Sequence, residues 1–108
     1  MQQQYPFQAN GMSTATPTAQ TTAAITAGVT QLTLPVIDSN GGSLRLVVNS
    51  TANVSWCYGT NANLTIDNGC FMLTNTTDVF TLPPGVTVIS LIGSAANGNL
   101  RAMVGQGM

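Results

Sequence analysis

The sequence predicts an all-β protein: an antiparallel β-sandwich, jelly-roll-like, with an extended N-terminal arm. Short apolar stretches with a two-residue alternation recur along most of the chain, at a spacing of roughly 8–12 residues. Turn-forming Gly, Asn and Pro residues separate these stretches. Evidence for helices is almost absent, since the alanines of 18–27 are interrupted by threonines and followed by Gly28. These three observations favour strands throughout.

The first segment differs in composition from the rest. Residues 1–19 are rich in Gln and then in Ser, Thr and Ala, with no periodicity, so we expect an extended arm. Residues 20–108 are expected to form the sandwich body. The arm has apolar residues but no local core for them to enter. We therefore predict that four of them are interface anchors that dock on a neighbouring subunit: Tyr5, Pro6, Phe7 and Met12.

Short candidate strands fill the body, bounded by turn signals such as Asn68-Gly69 and Asn97-Gly98. The predicted strands are 20–26, 29–34, 43–49, 53–59, 63–66, 69–74, 78–82, 86–92 and 98–104. Strands of this number and length suit two packed antiparallel sheets within one domain. The strand order is not determined by a single sequence.

The alternation within each strand predicts which side chains enter the core. In 43–49, Leu44, Leu46 and Val48 share one face. Two further stripes are expected on the inner faces of the sheets: Val54, Trp56 and Tyr58 in one strand, and Phe71 and Leu73 in another. Strand 86–92 has no clearly polar face, which is typical of a strand that is covered on both sides.

Charge is almost missing from this chain, and that excludes several functions. Its charged residues are Asp38, Arg45, Asp67, Asp78 and Arg101. Two arginines and a net charge of −1 do not provide the cationic surface that nucleic acid or a polybasic membrane contact requires. We expect large uncharged interfaces and low solubility of the isolated protein, because surface charge keeps a domain dispersed.

The same composition predicts that the protein is not an enzyme and has no catalytic residues. It has no His or Lys to activate a hydroxyl or thiol nucleophile. Asp38 and Asp67 stand in turn sequences, where Asp bonds its own backbone. We expect no metal site and no cofactor, since one carboxylate per loop is too few for tight calcium binding.

Two pairs of residues leave alternatives open. Cys57 and Cys70 are either two buried thiols that act as small apolar side chains or a disulfide across a hairpin. The absence of a secretion signal in residues 1–7 favours thiols in a reducing cytoplasm. Trp56 and Tyr58 share a strand face and are a core pair, part of a protein interface, or a platform on which a sugar stacks.

Four stretches of the body resemble small β-rich structural proteins of tailed bacteriophages, in particular the jelly-roll cement or decoration proteins on the outside of phage heads. They are 43–49, the stretch 54–59 with its aromatic-Gly ending, the stretch 80–90 with the turn Leu82-Pro83-Pro84-Gly85-Val86, and the closing 98–107. The resemblance implies a head-stabilising role with contacts to a major capsid protein. No individual binding residue is carried over from it.

Three functions follow as expectations. The first is a capsid cement protein on the virion exterior, synthesised in the host cytoplasm, which binds the major capsid protein and copies of itself as a dimer or trimer. The second is a phage fibre or tail-associated β-domain that binds a receptor or carbohydrate. The third is a fibre-forming or pilin-like subunit, which the abundance of Gln, Asn and Thr favours.

Overall fold

A computed structural model of the chain describes residues 8–9, 20–35 and 42–106. Its strands are β1 (Gln8–Ala9), β2 (Thr21–Ala24), β3 (Thr30–Thr33), β4 (Gly42–Asn49), β5 (Val54–Tyr58), β6 (Cys70–Met72), β7 (Thr77–Leu82), β8 (Val88–Gly93) and β9 (Asn99–Gln106). No helix occurs in these described ranges, and so none of them contains a helix long and apolar enough to cross a membrane.

The strands form two antiparallel sheets with a nested order. Sheet A has the order β1-β9-β4-β7, with β2 also paired to β9, and sheet B has the order β3-β8-β5-β6. The pairs β2–β9, β3–β8, β4–β7 and β5–β6 nest inside one another, as in one long hairpin. Rolling that hairpin brings β9 beside β4 and β8 beside β5. This is the jelly-roll arrangement, so the predicted antiparallel sandwich is confirmed, while the predicted arm over 1–19 lies outside the described residues except for β1.

The core lies between the two sheets and follows the predicted alternation in β4 and β5. Leu44, Leu46 and Val48 of β4 are at most 1% exposed. They pack in one cluster with inward residues of the other strands, among them Leu32, Val54, Trp56, Met72, Leu82, Ile89, Leu91, Leu100 and Val104. Burial of this apolar surface is the main force that holds the sheets together.

The predicted inner stripe of Phe71 and Leu73 is wrong. The β5–β6 register pairs Val54 with Met72, so Met72 enters the core at 2% exposure. Phe71 and Leu73 have the opposite parity and are 51% and 59% exposed. Both faces of the 69–74 stretch carry apolar side chains, and therefore the alternation alone does not determine which face is buried.

The predicted strand 63–66 is also wrong, because this stretch belongs to a loop over 59–69 that folds back across the outer face of sheet B. Ser90, fully buried on that face, accepts a hydrogen bond from the Asn61 N–H (2.9 Å) and donates one to the Gly59 carbonyl (2.8 Å). Ser55 donates to the Ile66 carbonyl in the same way. The central strands β5 and β8 of sheet B are therefore covered on both faces at Ser55 and Ser90, as the pattern of 86–92 predicts for β8.

Removing the Ser90 hydroxyl is expected to loosen this loop. Ser90→Ala leaves the Asn61 N–H and the Gly59 carbonyl without their partner in a buried site, which costs about 1–3 kcal/mol of unfolding free energy. Urea denaturation followed by far-ultraviolet circular dichroism measures this loss. Thr60→Ala, at an exposed position of the same loop, is the control and should change stability by less than about 0.5 kcal/mol. Equal stability of the two variants would contradict the assigned role of Ser90.

Candidate interaction site

An open cleft of about 350 Å³ lies along the side of the sandwich where β5 and β6 of sheet B face β7 of sheet A. We call it the aromatic cleft; its lining residues are Trp56, Cys57, Tyr58, Asn68, Gly69, Cys70 and Phe80. The strands β6 and β7 are the edge strands of their sheets on this side. The jelly-roll topology thus brings together residues that are distant in sequence.

Three aromatic rings hold the two sheets together at the cleft. The Trp56 ring meets the Tyr58 ring at a centroid distance of 5.0 Å and an interplanar angle of 84°. It also meets the Phe80 ring of sheet A at 4.8 Å and 67°. Both are edge-to-face contacts, the favourable geometry for aromatic pairs. The Tyr58 hydroxyl donates a hydrogen bond to the Thr81 carbonyl, which gives a second link between the sheets.

Trp56 is a core residue, because only 2% of it is exposed. The core interpretation from the sequence is confirmed, and the sugar-stacking platform formed by Trp56 and Tyr58 together is wrong, since stacking needs an exposed ring face. Tyr58 differs: 38% of it is exposed at the mouth of the cleft. The buried Trp56 Nε1 makes no hydrogen bond of normal geometry within the described part of the chain.

The cleft lining is uncharged near neutral pH. Burial raises the pKa of the Cys70 thiol, and the Asp78 carboxylate raises it further, while the Trp56 indole N–H acts in the opposite direction. Burial also raises the pKa of the Tyr58 hydroxyl, and the neighbouring Cys70 adds to that effect. Both groups therefore stay protonated, so the cleft suits an uncharged, largely apolar group.

Beside the cleft, two large apolar side chains stand on the outside of the protein. Phe71 and Leu73 lie on and just after the short edge strand β6 and are the most exposed large apolar residues of the described chain. We call this pair the apolar edge. Exposed apolar residues close together on an edge strand, one side of which is unpaired, are typical of a protein contact.

Cys57 and Cys70 do not form a disulfide. Trp56 pairs with Cys70 in the register, so Cys70 shares the face of Trp56 and Cys57 lies on the opposite face. Both thiols are free, Cys57 half-buried and Cys70 exposed. The prediction of free thiols is confirmed, but the prediction that both are buried is wrong, because Cys70 stands on the edge strand β6 and is exposed. The hairpin alternative is wrong because their side chains point away from each other across the sheet.

The other predicted residues fall in different places. The arm anchors Tyr5, Pro6, Phe7 and Met12 lie outside the described residues, as does Asp38. Next to them in sequence, β1 pairs with Gly105 and Gln106 of β9 at the edge of sheet A.

Asp67 is exposed in the loop over sheet B. Among the described residues, the side-chain hydrogen bonds of this turn are made by its neighbour Asn68. The Asn68 side chain accepts a hydrogen bond from the Thr65 N–H (2.7 Å) and donates one to the Asn63 carbonyl (3.2 Å). Within the described ranges, no group of three or more His, Cys, Asp or Glu residues is placed to hold a metal ion.

Comparison with known proteins gives no relative: no protein-family model, curated protein or solved structure matches this chain. Its function is therefore inferred from the aromatic cleft and the apolar edge.

Proposed function

We propose that this chain is a structural assembly protein of a tailed-phage virion: a capsid cement or decoration protein that stabilises the head through non-covalent contacts. Its partners are the major capsid protein and further copies of itself, as a dimer or trimer on the capsid exterior. The observation that supports this most is the apolar edge beside the aromatic cleft. Both involve the edge strand β6, the cleft on the Cys70 face and the apolar edge on the opposite face, in a jelly roll that has hardly any charge.

The energetics of the cleft and the apolar edge favour association. Covering the exposed parts of Phe71 and Leu73 contributes roughly 1 kcal/mol for each side chain, because each is about half exposed. Covering a neutral cleft avoids the cost of dehydrating a charge. An apolar side chain from a partner that enters the cleft would add further contact area against Tyr58 and Phe80.

The N-terminal segment is the second part of the proposal. Gln8 and Ala9 pair with β9 of the same chain, so we propose that the rest of residues 1–19 reaches neighbouring subunits, with the predicted anchors Tyr5, Pro6, Phe7 and Met12 as its contacts. The pairing of β1 with β9 supports a segment that attaches to sheet edges by backbone hydrogen bonds.

A fibre or tail-associated β-domain that binds a receptor or carbohydrate is the alternative. One observation favours it: Tyr58 offers an exposed ring at the mouth of a cleft that also contains the Asn68 amide. An unchanged glycan-array signal after Tyr58→Ala would remove this alternative.

The apolar edge can be tested in the full-length chain. Particles from cells that carry the gene are purified, and the chain is counted per particle by quantitative mass spectrometry and located by immunogold electron microscopy. We expect label on the head surface, and a loss of about tenfold or more in copies per particle for the double variant Phe71→Ser, Leu73→Ser.

A matched control alters two exposed residues of the opposite edge strand β3, in the double variant Gln31→Ser, Thr33→Ser, which should keep normal occupancy. Particles without the chain would overturn the proposed function. Normal occupancy of the Phe71, Leu73 variant would instead show that the apolar edge is not the contact. Deletion of residues 1–19 tests the arm in the same assay, with circular dichroism as the check that the body is still folded.

A further inference from the structure

Both arginines of the chain lie on a single surface, the outer face of sheet A. The register pairs Arg45 of β4 with Met103 of β9, and Val47 of β4 with Arg101 of β9. The intervening pair, Leu46 and Ala102, points into the core with no exposure. Arg45 and Arg101 are therefore diagonal neighbours on the outer face, at about 7–8 Å between their backbones. We call this surface the arginine face.

The described carboxylates lie elsewhere. Asp67 belongs to the loop over the other sheet, and Asp78, paired with the inward-facing Leu46, has the parity of the inner face. It lies near Cys70 at the open side, where it raises the pKa of that thiol. In the part of the chain that the structure describes, the arginine face therefore has cations and no carboxylate to neutralise them.

Arg101 borders a cleft of about 330 Å³ on this face. The lining consists of Val47, Val48, Asn49, Asn75, Thr77 and Arg101, with amide and hydroxyl groups but no carboxylate. The Arg101 Nε donates to the Asn99 Oδ1 at 3.4 Å, which orients the guanidinium. The two terminal NH₂ groups of Arg101 make no hydrogen bond to the described residues. They are therefore available as a pair of N–H donors, the arrangement through which a guanidinium binds a carboxylate best.

We propose that the Arg101 cleft, with Arg45 beside it, binds an Asp or Glu side chain of a partner protein. This deepens the proposed function, on which the identity of the partner rests: the arginine face meets an acidic patch of another protein in the assembly. A symmetric contact between two arginine faces would bring like charges together, so a second copy is not the occupant. Two cations in a chain of net charge −1 are too few for nucleic acid.

The chemistry can be tested directly on the isolated full-length protein. The chain has two arginines, so its ¹H–¹⁵N spectrum has two arginine Nε–H signals. Each signal is assigned by its loss in Arg45→Gln or in Arg101→Gln. The probes are the capped tripeptides acetyl-Gly-Glu-Gly-amide and acetyl-Gly-Gln-Gly-amide, added at low ionic strength. They have the same shape and differ in charge.

We expect a saturable shift of the Arg101 signal with the Glu peptide, and binding at least about fivefold tighter than for the Gln peptide. Arg101→Gln should abolish the difference between the peptides, Arg101→Lys should reduce it because the paired donors are lost, and Arg45→Gln should weaken it partially. Raising the salt concentration should weaken binding of the Glu peptide, since Arg101 is only partly buried and salt screens charges that solvent reaches.

Equal responses to the two peptides, or an undiminished preference for the Glu peptide in Arg101→Gln, would overturn the proposal. Backbone signals away from sheet A serve as the folding check for each variant. Occupancy of Arg101→Gln on particles then tests the partner: normal occupancy would overturn the role of this face in assembly. Absence of the unmodified chain from particles would overturn the proposed function but not the binding of a carboxylate at Arg101, because the peptide titration uses the isolated protein.

Discussion

Replacing Trp56 with alanine is expected to lower the free energy of unfolding by about 3–5 kcal/mol. Trp56 is 2% exposed and packs edge-to-face on both Tyr58 and Phe80, so it joins the two sheets beside the aromatic cleft. Its removal enlarges the cleft inward and removes one side of both aromatic contacts. A domain of this size has about 5–15 kcal/mol of stability in total, so much of it would be lost.

Urea denaturation followed by far-ultraviolet circular dichroism measures this effect, because the variant has no tryptophan to serve as a fluorescent probe. Tyr58→Phe is the matched control. It keeps the ring on Trp56 and removes the hydroxyl that binds the Thr81 carbonyl, for an expected loss of about 0.5–1.5 kcal/mol. A loss below about 1 kcal/mol for Trp56→Ala would contradict a structural role at the junction of the sheets.

Gly98→Ala is expected to destabilise the protein by about 2–4 kcal/mol, through two separate effects. Gly98 has a φ of 64°, in the left-handed region, where a residue with a Cβ is disfavoured by roughly 1 kcal/mol. The added Cβ would also lie 2.1 Å from the Asn49 carbonyl oxygen and 2.8 Å from the Ser50 Cα. Both are backbone atoms, so relief requires a shift of the chain, at a cost of about 1–3 kcal/mol.

The surrounding contacts make such a shift expensive. The Gly98 carbonyl accepts a hydrogen bond from the Ile25 N–H (3.1 Å), and the preceding Asn97 carbonyl accepts one from the Ser50 hydroxyl (2.6 Å). Gly28→Ala is the control, since Gly28 has no heavy atom within 4 Å of an added Cβ. Thermal and urea denaturation should separate the two variants clearly. A Gly98→Ala protein as stable as Gly28→Ala would mean that this turn adapts without strain.

The inward face could be predicted from the sequence for a strand with one apolar face, but not for the 69–74 stretch, which has two and is covered on only one of them. The Leu44, Leu46 and Val48 stripe lies in the core as predicted, because its opposite face contains Arg45. The 69–74 stretch has apolar residues on both faces, and only pairing with β5 turns Met72 inward and Phe71 outward. Local alternation does not contain that pairing, because its partner strand is distant in sequence.

The candidate sites show the same limit. Trp56 and Tyr58 stand out in the sequence, while Phe80 and Cys70 do not, since they join the cleft only through the fold. The sequence shows that the chain has two arginines, but not that they share a face. Their position on one face follows from the antiparallel register of β4 and β9, which requires knowledge of the strand order.

The nested pairing of strands also determines when this protein can fold. β9, the last strand in the chain, lies in the interior of sheet A, with β1 and β2 on one side and β4 on the other. Until β9 has emerged from the ribosome, β2 lacks its partner strand and β4 lacks one of its two partner strands. Such distant pairings are slow to form. Sheet A is therefore expected to assemble only after synthesis of the body is complete, and until then the newly made chain exposes unpaired apolar strands that a chaperone can bind.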